Sequence, residues 1–194
     1  MNEFKSLLQN IRKCTLCKKY LPNGVRPVLQ VSPQAQILIV GQAPGRKVHE
    51  SGIPFDDASG KRLREWMGIE NDIFYNEKQV AILPMAFCYP GTGKSGDLPP
   101  RPECEPAWRK PLLDQLPNLK LTLVIGMYAQ DYQFSKSKET VTHLVKSWKN
   151  YWPKIVPLPH PSPRNNIWLR KNSWFEKEVL PPLRKQISNI LLEE

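Results

Sequence analysis

The sequence predicts an α/β fold, a parallel sheet covered by helices on both faces. Three observations carry that expectation. Short apolar runs recur along the chain and read as buried strands. Segments with apolar residues at helical spacing lie between them. Loops bearing glycine or proline follow several of the runs. Strands that alternate with helices favour a parallel sheet, whose ligand-facing loops sit at the carboxyl ends of its strands.

Taken in order, Phe4, Leu7, Leu8 and Ile11 predict a short amphipathic N-terminal helix that runs into Cys14 and Cys17. Leu21 to Pro33 carries Pro22, Gly24, Pro27 and Pro33 and reads as loop. Ile37-Leu38-Ile39-Val40 is the first strand, followed by the loop Gly41-Gln42-Ala43-Pro44-Gly45. Ser59 and Gly60 precede Leu63, Trp66 and Met67, a helix that Gly68 can terminate. Val80 to Met85 is the second strand. Tyr89 to Pro102 is dense in proline and glycine and reads as a long loop. Trp108, Leu112 and Leu116 suggest a helix that contains Pro111. Leu121 to Ile125 is a third strand, closed by Gly126. Val141, Leu144, Val145 and Trp148 mark another helix, and Ile155 to Leu158 a fourth strand leading into Pro159-His160-Pro161-Ser162-Pro163. A terminal helix starts near Trp174 and carries Leu180, Leu183 and Ile187 on one side.

A chain of 194 residues suffices for one sizeable core, so a single domain over residues 1–194 is expected. Hydrophobic residues make up 40% and there are six tryptophans, a composition that packs and does not stay disordered. No apolar stretch approaches the roughly 20 residues that span a bilayer. The start, Met1-Asn2-Glu3-Phe4-Lys5, lacks the features of a signal peptide, so a cytoplasmic location is expected. Lys and Arg number 28 against 18 Asp and Glu, a formal net charge of +10. That balance suits a polyanionic partner, because cationic side chains displace the counterions condensed on phosphates. It also suits a solvated basic surface, and charge alone does not choose.

Gly91-Thr92-Gly93-Lys94-Ser95 imitates a phosphate-binding loop, yet the full pattern requires glycine where Cys88 stands. Its continuation, Gly96-Asp97-Leu98-Pro99-Pro100, cannot begin a helix, so no nucleotide cofactor is expected. There are four cysteines. Cys14-Thr15-Leu16-Cys17 alone fits a redox pair, half a zinc site or two ordinary residues. With Cys88 and Cys104 in or beside a proline-rich loop, the set suits a Cys₄ site for zinc or for an iron–sulfur cube. His160 follows a strand and is one of three histidines, although a histidine among prolines is often only a loop residue.

Gly41-Gln42-Ala43-Pro44-Gly45, Gly52-Ile53-Pro54-Phe55 and His160-Pro161-Ser162-Pro163 resemble, in order, the signature segments of uracil-DNA glycosylases. Cys14, Cys17, Cys88 and Cys104 resemble the cluster ligands of the iron–sulfur members of that superfamily. The resemblance extends from about Cys14 to Pro163. It implies a three-layer α/β/α fold around a four-stranded parallel sheet and a base flipped out of DNA into the site. Phe55 would stack on that base. His160 would donate to a base oxygen as negative charge develops there. Gly41, Gln42 and Ala43 would lie beside the sugar and the attacking water. Ser162, Arg164 and Asn165 would engage the DNA backbone or the emptied stack. A structural [4Fe–4S] cluster, with zinc as the alternative occupant, would clip the N-terminal helix to the Cys88 loop. The expected partner is DNA, met by a monomer.

The chain departs from the family pattern at two places. Ala43 stands where the best-known members carry a water-activating aspartate, and Val48 and His49 stand where relatives often have carboxylates. Glu50, Asp56 and Asp57 are nearby, so the general base is unassigned. In Leu83-Pro84-Met85-Ala86-Phe87-Cys88, Pro84 replaces an asparagine that reads the edge of uracil, and proline has no side-chain donor or acceptor. Either another group reads the base or the base is not uracil. The leading expectation is a DNA repair glycosylase. A catalytically silent nucleic-acid binder is the alternative, and a zinc-clipped α/β hydrolase is a third reading.

Overall fold

The computed structural model describes residues 3–134 and 139–192; Met1 and Asn2, used above in reading the N-terminus, lie outside them. The four apolar runs form β1 (Ile37–Val40), β2 (Val80–Ile82), β5 (Leu121–Ile125) and β6 (Ile155–Leu158). Between them, β3 (Thr92–Gly93) and β4 (Gly96–Asp97) make a separate antiparallel hairpin. The main sheet is parallel throughout, in the order β2-β1-β5-β6. β1 is therefore central, pairing Ile37 with Val80 on one side and with Leu121 on the other. All four of its residues are buried, as a strand covered on both faces requires.

Alternate residues of each strand point to opposite faces. Ile37, Ile39, Leu123 and Leu158 face a core built with α3 (Ala58–Met67), α7 (Val141–Lys146) and the long C-terminal helix, through Leu63, Val145, Leu180, Leu183 and Ile187. Leu38, Val40, Ala81 and Val124 face a second core with α1 (Glu3–Arg12), α5 (Lys110–Leu113) and α6 (Gly126–Gln133), through Ile11, Leu112 and Ala129. The result is the three-layer α/β/α arrangement around four parallel strands. Three further short helices, α2 (Arg46–Ser51), α4 (Asn71–Phe74) and α8 (Asn166–Lys171), lie at its margins. Among the described residues, no helix is long and apolar enough to cross a membrane.

Several elements differ from the expectation, each for a physical reason. The second strand ends at Ile82, because Pro84 has no N–H for the ladder. The chain nevertheless continues beside β1, with Leu83 N donating to Ile39 O (3.0 Å) and Met85 N to Gly41 O (2.9 Å). The Tyr89–Pro102 loop contains the β3–β4 hairpin. Gly126 closes the third strand, as expected, and also begins a helix the sequence did not mark, α6, whose buried residues are Gly126, Ala129 and Gln130. Small and polar residues on the buried side leave no apolar periodicity to read. α9 (Leu180–Leu192) and α5 are each preceded by a wide turn, Phe175–Val179 and Glu105–Arg109, in which the N–H of Leu180 reaches Phe175 O and that of Lys110 reaches Glu105 O. Pro111, Pro181 and Pro182 cannot donate there, which favours the widening.

Candidate active site

The carboxyl ends of β1 and β6 open onto one cleft of about 490 Å³. All eight residues expected at the site line it: Gly41, Gln42 and Ala43 after β1, Phe55 before α3, and His160, Ser162, Arg164 and Asn165 after β6. Pro84 lines it too and adds an apolar surface without a donor. The sequence reading missed Tyr128 on α6, Ser59 on α3 and Asp97 on the hairpin, all of which border the same cleft. Tyr128 follows from a helix with no amphipathic signal. Asp97 lies just beyond the segment set aside as a phosphate-loop imitation.

Phe55 is held by its backbone. Its φ of 56° makes it the one non-glycine residue with positive φ among the described residues, a conformation that persists only where surroundings enforce it. Here Asp57 caps α3 by accepting from Gly60 N (2.8 Å), which draws Gly60 against the Phe55 carbonyl. A Cβ on Gly60 would lie 1.8 Å from Phe55 O, so only glycine fits. The Phe55 ring reaches over Gly41, where an added Cβ would meet its Cζ at 3.5 Å. Its edge-to-face contact with Phe74, centroids 6.2 Å apart, fixes its tilt. Gly60→Ala is expected to cost about 1–3 kcal/mol through overpacking. The melting temperature would fall by roughly 2–12 °C for a chain of this size. An unchanged melting temperature would mean that the Phe55 turn is not strained against α3.

His160 is positioned from three sides. Asn165 Nδ2 donates to its carbonyl oxygen (2.7 Å), and Ser162 N donates to its Nδ1 (3.2 Å). Gly126, whose φ of +75° favours glycine, lies against the ring: a Cβ there would be in ordinary contact, 3.6 Å from His160 Cβ and Cδ2. Deeper in, the buried Gln130 side chain donates to Leu158 O (2.9 Å) and Val124 O (3.3 Å), tying the ends of β5 and β6 together. Burial pushes the His160 pKa below its ordinary value of 6.5, against the opposing pull of Asp57 and Asp97. The ring is therefore neutral at pH 7. With Nδ1 accepting from Ser162, its proton belongs on Nε2, a donor aimed at the cleft.

The loop after His160 is braced by arginines. Arg62 donates to Ser162 O (3.1 Å) and to Asn166 Oδ1 (2.8 Å), and Ser162 Oγ accepts from Arg164 N (3.2 Å). Arg164 also donates to Ser95 O (3.5 Å), and Gln42 Nε2 to Leu98 O (3.2 Å). The β3–β4 hairpin is thus fastened to both walls of the cleft.

A second pocket is lined by Cys14, Cys17, Cys88 and Cys104 together. Trp108 Nε1 donates to Cys14 Sγ (3.0 Å) and Phe87 N to Cys104 Sγ (3.4 Å), while the Cys17 thiol donates to Glu103 (3.7 Å). Burial raises the thiol pKa to about 11 at Cys88 and to about 12 at Cys104. Thiols this reluctant to ionise need a cationic occupant to become thiolates. Among the described residues, no group of three or more ligand side chains is gathered closely enough to hold a metal ion. The donor set still fits an iron–sulfur cluster: four thiols, N–H groups already directed at two sulfurs, and an apolar surround.

The fold and cleft define an α/β protein whose site is assembled from loops at the carboxyl edge of a parallel sheet. The family model of the uracil DNA glycosylase superfamily matches residues 29–184, and the chain belongs to that superfamily. It is 27% identical over 176 residues to a Type-4 uracil-DNA glycosylase of Sulfurisphaera tokodaii, covering 84% of this chain and 76% of the relative. A Type-4 uracil-DNA glycosylase of Saccharolobus solfataricus is 25% identical over 173 residues, covering 84% and 77%. A Methanosarcina acetivorans protein solved by NMR matches 83% of this chain and 97% of its own at 18% identity, with a TM-score of 0.46.

Proposed function

We propose that the chain is a DNA repair glycosylase that hydrolyses the N-glycosidic bond of uracil or another deaminated base flipped out of DNA. The observation that carries this reading is the pairing of a neutral, Nε2-protonated His160 with the constrained Phe55 in one cleft. A flipped base stacks on the Phe55 ring. His160 Nε2–H donates to a base oxygen, and that hydrogen bond strengthens as the bond to the sugar breaks and the base becomes anionic. A neutral imidazole suits this work, because its donor is present without a proton having to be taken up first. Ser162, Arg164 and Asn165 meet the DNA strand, and the net charge of +10 favours the approach of phosphates.

Cys14, Cys17, Cys88 and Cys104 hold a [4Fe–4S] cluster in this reading. When bound, it clips the N-terminal segment to the Cys88 loop and supplies no redox step to hydrolysis. The protein works as one domain, a monomer in the cytoplasm without a nucleotide cofactor.

One observation favours a second reading. Pro84 on the cleft wall gives uracil no side-chain partner, which suits a family member that binds nucleic acid without cutting the glycosidic bond. Labelled oligonucleotides carrying uracil, hypoxanthine or xanthine, single- and double-stranded, separate the two. Base release is expected from at least one of them. DNA binding with no release from any member would establish the silent reading.

A further inference from the structure

Ala43 leaves the loop after β1 without a carboxylate to handle water. We infer that Asp97, carried in by the β3–β4 hairpin, supplies that carboxylate from another part of the chain. The inference rests on the proposed glycosylase reaction and adds to it the group that accepts the proton of the attacking water.

The geometry around Asp97 is specific. It lines the cleft with Ala43, Phe55 and His160. Its Oδ2 lies 3.4 Å from where a Cβ on Gly45 would sit, so the carboxylate rests on the loop that contains Ala43. Its charge is felt at His160, where it opposes the effect of burial. Within the described residues the Asp97 carboxylate accepts no hydrogen bond and forms no ion pair, so its lone pairs are open to a water.

The hairpin is built to hold that position. Thr92 pairs with Asp97 across it, and Leu98 N donates to Gly91 O (2.9 Å) just behind. Gln42 fastens it at Leu98 O and Arg164 at Ser95 O, so residues flanking Asp97 on both sides are tied to the cleft walls. Gly96, at φ +137°, lies where a Cβ would be 2.4 Å from Arg164 Nη1, which brings the hairpin and the His160 loop into direct contact. Asp57 also lines the cleft, but its Oδ1 already caps α3 through Gly60 N.

In the step, the C1′–N bond breaks and its electron pair leaves on the base, whose oxygen accepts from His160. The water oxygen bonds to C1′, and one water proton passes to Asp97. That proton then goes to the departed base nitrogen, which restores the carboxylate. The products are the free base and an abasic site bearing a hydroxyl at C1′.

The test is single-turnover base release by full-length protein on its best oligonucleotide, with DNA affinity and melting temperature measured on the same preparations. Asp97→Asn is expected to slow release by about 10²-fold or more, within the range that general-base loss produces. Its DNA affinity should be equal or higher, because a negative charge has been removed from a cleft that receives a polyanion. Release within threefold of wild type would overturn the assignment. So would parallel losses of rate, affinity and melting temperature, which would make the hairpin merely structural. Asp57→Ser, which keeps a capping hydroxyl for α3, guards against the wrong carboxylate. If it abolishes release while Asp97→Asn does not, the water belongs to Asp57. A wild-type protein that releases nothing would bring down the glycosylase reading itself, and that failure is visible before any variant is compared.

Discussion

Replacing His160 by alanine is expected to slow base release by roughly 10²–10³-fold, the usual loss for one preset donor to a developing anion. DNA affinity should change little, because in the proposed reaction the neutral imidazole meets the base and not the phosphates. The reason for so large an effect is the state in which the protein keeps the ring. Burial holds the imidazole neutral, and Ser162 N occupies Nδ1, so the Nε2–H donor is fixed in place before substrate arrives. Little reorganisation is needed at the moment the bond breaks, which is where electrostatic preorganisation has its value. His160→Gln, which keeps a side-chain N–H, should recover part of the loss. Equal falls in affinity and rate for His160→Ala would contradict the role, since a group that binds ground and transition states alike does not act on the chemical step.

Replacing Cys88 or Cys104 by serine is expected to have the second large effect, on stability and metal content together. Visible absorbance with iron and sulfide should be present in anaerobically purified wild type and lost in either variant. The melting temperature should fall by roughly 10 °C or more, corresponding to the roughly 4 kcal/mol or more typical of losing a metal-centred crosslink. The structural reason is local. Cys14 and Cys17 follow α1, Cys88 follows the segment beside β1, and Cys104 opens the turn before α5. The intervening loop is dense in proline and glycine and has few apolar groups to order it. A crosslink among these four points would therefore order what the few apolar groups there cannot. Wild-type protein that contains zinc and no sulfide would assign the pocket to zinc. Serine variants that match wild type in metal and melting temperature would leave the cysteines as ordinary pocket residues.

Much of the fold was legible because the strongest local signals are also the buried ones. Ile37-Leu38-Ile39-Val40 and Leu121-Thr122-Leu123-Val124-Ile125 are apolar on both faces because they lie in the middle of the sheet, and that continuity is visible in one dimension. Gly68 ends α3 in the left-handed conformation that glycine tolerates, again a local matter. α6 was not legible. It buries Gly126, Ala129 and Gln130, and small and polar residues on a buried side leave no apolar periodic trace. The β3–β4 hairpin was missed for a related reason: with two residues in each strand, it is held chiefly by contacts from Gln42 and Arg164, far away in the chain.

By itself, the sequence determined the parallel α/β architecture, the superfamily resemblance and eight of the residues that line the cleft, because each rests on short motifs or continuous apolar runs. It also marked Ala43 as the place where the general base is left unnamed and Pro84 as the place where a side-chain reader of uracil is absent. Only the tertiary structure decided how His160 is kept neutral and which nitrogen holds its proton, since burial and the Ser162 contact are set by packing around β6. Only the tertiary structure brought Tyr128 and Asp97 to the same cleft. Spatial neighbours separated by dozens of residues are created when the sheet closes its loops over one edge, and no local pattern encodes them.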